Sequence, residues 1–147
     1  MQALKVARYI INKAIELEKP ISNLQLQKIM YFVQLDFLKQ VGKGLIDDDF
    51  EARSFGPIVG SVYSQYRVFG SSELFMPEKD AQLDLSQNEQ SIIDATIRNS
   101  LQLKPWELVQ KSHNPKGAWA AVFKNGEGAR VRIPKKLIEK EAKKWSG

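Results

Sequence analysis

The sequence predicts a mainly α-helical protein, one compact helical domain over residues 1–147 with two or three short β-strands. Two observations predict it. Apolar residues recur every three or four positions along most of the chain, as the buried face of a helix requires. Prolines, glycines and capping residues punctuate those runs, and the stretches between them leave room only for short alternating segments.

Residues 3–18 place Ala7, Ile10, Ile11, Ala14, Ile15 and Leu17 at helical spacing. Pro20 ends that helix, because it has no amide to donate and restricts the residue before it. Ser22 or Asn23 caps a second helix with Leu26, Ile29, Met30, Val33, Phe37, Leu38 and Val41 on its apolar side, and Gly42 stops it. Helices joined by so few residues lie antiparallel. Phe50 to Phe55 alternates as a short strand. In "FGPIVGSVYSQY" a third helix is expected to open at Pro57, which is pre-set to the helical φ, with Val59, Val62, Tyr63 and Tyr66 on one side. Residues 70–86 lack a helical period and read as a surface excursion with one extended segment at most. "SQNE" at Ser86–Glu89 is a capping box for a helix carrying Ile92, Ile93, Thr96, Ile97 and Leu101. Pro105 restarts a shorter helix, "AWAAVF" forms another, "NGEG" turns, and "ARVRI" reads as a short strand. A basic final helix is expected at about 134–146.

Hydrophobic residues make up 43% of the chain and charged residues 27%, enough to bury a core without staples. There is no cysteine, which removes disulfides and thiolate chemistry and suits a reducing cytoplasm. No apolar run approaches the ~18 residues of a membrane span, and charges break the N-terminal run where a signal peptide would be continuous. A cytoplasmic location is expected. The net charge of +5 is uneven: residues 130–147 hold seven basic and two acidic residues, and the rest is balanced. Such a tail fits nucleic acid, an acidic protein surface, or a solvated helix face docked through Leu137, Ile138 and Ala142.

Catalytic signatures are sparse. His113 is the only histidine, so a zinc site would need carboxylates beside it and a serine triad would need it as base, yet no nucleophile elbow is present. Neither a GxxxxGK[ST] nor a GxGxxG loop occurs. "DDDFE" at Asp47–Glu51 lacks the glycine and distal-glutamate spacing of a calcium loop and reads as a solvated acidic turn. No metal, cofactor or enzymatic step is expected. Phe32 and Tyr63 fit core packing, while Tyr31 and Tyr66 fit either the core or a stacking platform.

Three separated stretches carry a resemblance: "LQLQKIMYFVQ" (24–34), "FEARSFGPIVGSVYSQYRVFG" (50–70) and "ELVQKSHNPKGAW" (107–119). In order and spacing they resemble the Panacea domain, a family that includes SocA-like antitoxins and phage-associated proteins. The likeness spans residues 3–145, and departs from the family pattern at Ile29, Ile58 and Ser112 and before Trp119. It implies an antitoxin that neutralises a partner toxin by direct protein contact, or an adaptor delivering the toxin to a protease. The family residues it carries over are Lys28, Tyr31, Phe32, Glu51, Ala52, Gly56, Pro57, Tyr63, Tyr66, His113 and Trp119, most of them structural. Lys28, Glu51 and His113, polar groups inside apolar motifs, are expected to form a buried network. Tyr66, Arg67, Phe75, Arg130 and Arg132 are the expected partner-binding residues, with the basic segment as an alternative nucleic-acid surface. A hydrolase using His113 is the competing enzymatic reading.

Overall fold

Ser22 opens the longest helix. In the computed structural model, which describes residues 1–147, the Ser22 hydroxyl accepts from the Gln25 amide at 3.3 Å, and Gln25 Oε1 accepts from the Ser22 amide at 2.9 Å. This helix, α2 (Asn23–Val41), ends at Gly42, whose φ of 90° supplies the left-handed stop. Its side chains are buried on nearly every side, which marks a helix enclosed by neighbours. Those neighbours are α1 (Ala3–Glu16), α3 (Gly60–Tyr66), α4 (Gln87–Leu101), α5 (Pro105–Ser112) and α7 (Lys135–Lys144), and α6 (Ala118–Phe123) packs on α7. The capping box expected at Ser86–Glu89 forms as well, at 3.1 and 3.0 Å.

The Gly-Pro pair behaves differently from its sequence expectation. It lies in a strand, β2 (Gly56–Ile58), antiparallel to β1 (Glu51–Arg53), with Ala52 opposite Pro57 and Arg53 opposite Gly56. Gly56 takes a φ of 113°, open to glycine and strained for other residues, so the chain reverses tightly after Arg53. Proline fits a short outer strand because no ladder donor is lost there. The helix starts only at Gly60. Residues 130–133 run along the opposite edge of β1: Ala52 N donates to Val131 O at 2.9 Å and Ile133 N to Phe50 O at 2.8 Å. "ARVRI" therefore joins the sheet through a single bridge between Glu51 and Arg132.

A cluster of 32 buried apolar residues forms the core, drawn from all seven helices except the short third one's outer face and from the hairpin. Ala7, Ile10, Ile11 and Ala14 of α1 enter it, while Leu17 stays 38% exposed past the helix end. On α7 the inward face holds Ile138, Glu141 and Ala142, followed by Trp145, and the lysines point out. No helix is long and apolar enough to cross a membrane.

Candidate functional site

Four of the motif residues, Lys28, Gly56, His113 and Trp119, converge on the hairpin. Lys28, wholly buried on α2, donates from Nζ to Pro57 O at 3.0 Å. A Cβ on Gly56 would sit 2.6 Å from that Nζ and 2.8 Å from Ser112 Oγ, so glycine is needed for space as well as for φ. One residue earlier on α2, Gln27 accepts from the Val59 amide at 3.0 Å and donates to Asn23 Oδ1 at 3.0 Å. That amide is one of those a helix N-terminus would offer an anion; here a side chain holds it. His113 stacks on Trp119 with centroids 4.0 Å apart, and Trp119 Nε1 donates to Arg53 O at 2.7 Å. Lys28 and the His113–Trp119 pair thus both hold the turn, through Pro57 O and Arg53 O.

The electrostatics follow from burial. Lys28 has no carboxylate partner, and desolvation pushes its pKa down to about 7. Burial also lowers His113, with the Phe55 backbone opposing and the nearby Lys28 charge assisting. His113 Nε2 is buried without a hydrogen-bond partner. Glu51 stands apart from the other two members of the expected network. Its Oε1 pairs with Arg53, which approaches with Nε at 2.8 Å, and its carboxylate lies beside Gly60 at the start of α3. Ala52 is buried in β1, and Asp48 accepts from the Ala3 amide at 2.8 Å, so part of the acidic turn caps α1.

A second polar node was not legible. Tyr31 is fully buried and donates to Glu141 Oε1 at 2.6 Å, and the same oxygen accepts from the Ala118 amide at 2.9 Å. A Cβ on Gly117 would collide with this carboxylate at 2.7 to 2.9 Å. The phenol's pKa is raised by burial and then by the Glu141 charge and hydrogen bond. The one available signal was an acid on the same face of the last helix as Ile138 and Ala142. Phe32, buried as expected, stacks on Trp145 at 5.3 Å.

The outward face lies in residues 67–78. Val68 is 85% exposed, Phe75 66% and Met76 67%, and Phe69 is half-exposed beside them. With Tyr66 and Leu74 they line a groove of about 350 Å³. The loop is held firmly from beneath. Asn12 of α1 donates to Glu78 O at 2.9 Å and accepts from the Glu78 amide at 2.7 Å. Tyr66 Oη donates to Glu78 Oε1 at 2.8 Å. Tyr66 is consequently 3% exposed, a buried support where a surface anchor was expected, because its hydroxyl is needed by Glu78. Tyr63, expected in the core, is half-exposed and stacks on Phe55 at 5.7 Å. Arg67 and Phe75 are exposed on this face, while Arg130 and Arg132 are exposed beside the sheet, so the expected partner-binding residues divide between two places.

A helical domain that packs around one central helix and buries most of its motif side chains wholly or in part is the class this fold and geometry define. The family described as antitoxin SocA-like, Panacea domain, matches residues 26–120, from the first turn of α2 into α6. Antitoxin SocA of Caulobacter vibrioides is 30% identical over 153 aligned positions, covering 97% of this chain and 81% of that protein. The chain belongs to the SocA-like antitoxin, Panacea-domain family. No solved structure matches it.

Proposed function

We propose that this chain is an antitoxin that neutralises a partner toxin by direct protein–protein binding, without a chemical step of its own, through the apolar loop at residues 67–78. The observation that carries the reading is the pairing of exposed Val68, Phe75 and Met76 with the part-buried Asn12–Glu78–Tyr66 staple. Exposed apolar patches rimmed by polar groups mark interaction surfaces. A loop already held in place loses little conformational freedom when a partner arrives, and aromatic anchors then dominate affinity. The motif residues support the reading from inside: Lys28, Tyr31, Gly56 and Trp119 hold the scaffold through contacts within the fold.

Co-expression with the neighbouring reading frame tests it, scoring growth rescue and co-purification together. Rescue with a stable complex is the expected result, and a falling toxin level instead of a complex would point to protease delivery. Rescue without binding, or no rescue, would sink direct neutralisation. A second reading, nucleic-acid binding, draws on α7, where Lys136, Lys140, Lys143 and Lys144 are all exposed. Its affinity would fall steeply with salt and with loss of residues 130–147.

A further inference from the structure

We propose that the backbone edge at Glu73–Phe75 receives an extended segment of the partner toxin as an added β-strand. The inference rests on the antitoxin reading and adds the mode of contact. Leu74 donates its amide to Ile21 O at 2.7 Å, and the two residues form an antiparallel bridge with Leu74 buried. Along extended backbone, hydrogen-bonding groups alternate between the two edges. With the Leu74 amide turned to Ile21, the amides of Glu73 and Phe75 face the other way, and neither finds a backbone acceptor in the fold. Pro77, which has no amide, closes this open stretch.

An unpaired edge is a template for another strand, and main-chain hydrogen bonds combined with pockets for alternate side chains are a recurrent mode of peptide capture. Both parts are present here. The groove of about 350 Å³ is lined by Glu73, Leu74 and Phe75 of the edge together with Val68 and Phe69. Glu73 and Arg67 are exposed and neither joins an ion pair within the chain. The occupant these features fit is a segment with an apolar residue at every second position and a basic residue facing Glu73. The Leu74–Ile21 bridge and the part-buried staple on Glu78 tether this segment to the body before any partner arrives.

Two variants and one exchange measurement decide the matter, using the full chain and the toxin co-expressed from the neighbouring reading frame. Glu73→Pro removes one outward amide and leaves Val68, Phe69, Phe75 and Met76 untouched; Glu73→Ala removes only the carboxylate. The expected result is at least a tenfold loss of affinity for Glu73→Pro, a two- to threefold loss for Glu73→Ala, and slowed hydrogen exchange at the amides of residues 73 and 75 in the wild-type complex. A complex with those amides still exchanging freely, and with Glu73→Pro binding normally, overturns strand addition and leaves the antitoxin reading standing. Absence of both binding and rescue by the wild-type chain removes the antitoxin reading and this inference together. Self-association of the free chain that Glu73→Pro abolishes would give the edge to a second copy, against the proposal.

Discussion

The hairpin junction and the 67–78 loop place their side chains in opposite ways. At the junction and its neighbouring node, the polar groups of Lys28, Gln27, Tyr31 and Glu141 are inside, each with a partner. In the loop the apolar groups of Val68, Phe75 and Met76 are outside. Burying polar groups costs free energy unless each is satisfied, and exposing apolar ones gains nothing for folding. The first arrangement is understandable as a device that specifies one packing of the helices around α2. The second has no folding rationale, and a surface for a partner supplies one. Breaking either region should therefore produce different losses: stability at the first, binding at the second.

The largest loss of stability is expected at Glu141. Glu141→Ala leaves two buried donors, the Tyr31 hydroxyl and the Ala118 amide, without their acceptor. At up to about 3 kcal/mol for each orphaned group, the cost should be about 4 kcal/mol. Glu141→Gln keeps an oxygen at the same place and should retain most of it. Urea midpoints at an unchanged slope measure the difference. Gly56→Ala should follow at about 3 kcal/mol, since it forces a strained φ and drives a methyl into Lys28 Nζ. A Gly56→Ala protein as stable as the wild type would mean that the hairpin can move away from α2.

Next comes pH. Lys28 has an ordinary pKa of 10.5 and a folded value of about 7. Below pH 7 it is charged in both states and the burial penalty is felt in full. Between the two values the unfolded chain binds the extra proton, so stability rises with pH. From pH 7 to 9 the gain should be roughly 2–3 kcal/mol. Higher still, the trend reverses, because Tyr31 and Tyr66 have raised folded values and the unfolded phenols ionise first. Lys28→Met should flatten the rise between pH 7 and 9 while keeping the buried stem packed. A rise that survives in Lys28→Met would assign it to another group.

How much of this was legible in the sequence depended on whether the signal was local. The cap at Ser22 or Asn23, the Ser86–Glu89 capping box and the Gly42 stop could be read because a cap is decided within four residues. Pro57 misled because its fixed φ suits a helix start and an outer strand equally, and the choice was made by Ala52 pairing across the hairpin. Tyr66 misled for a similar reason: a tyrosine at helical spacing fits surface or core, and Glu78, twelve residues away, decided the matter. The Lys28–His113 proximity came from the motif pattern, yet Glu51 turned to Arg53, its neighbour two along the same strand. Met76 carried no signal, since an apolar residue in an irregular stretch has no period to betray its direction, and Val68 sits in a single 3-10 turn too short to show one.

The smallest effect on stability is expected where the largest effect on binding lies. Phe75→Ala and Met76→Ser remove side chains that are 66% and 67% exposed, so little buried area is lost on folding and the urea midpoint should move by less than about 0.5 kcal/mol. If the loop is the docking surface, Phe75→Ala should weaken toxin binding by about 2 kcal/mol, roughly thirtyfold, as truncation of an aromatic anchor does. Asn12→Ala separates the two regions' roles. It removes no exposed contact, but it cuts both hydrogen bonds that hold Glu78. Binding should then weaken because the loop must be ordered anew on docking, and faster hydrogen exchange across residues 72–78 of the free chain would report that loosening. Asn12→Ala with a loosened loop and undiminished affinity would show that preorganisation is not what the staple provides, and the contrast between a rigid interior and a presented surface would lose its functional meaning.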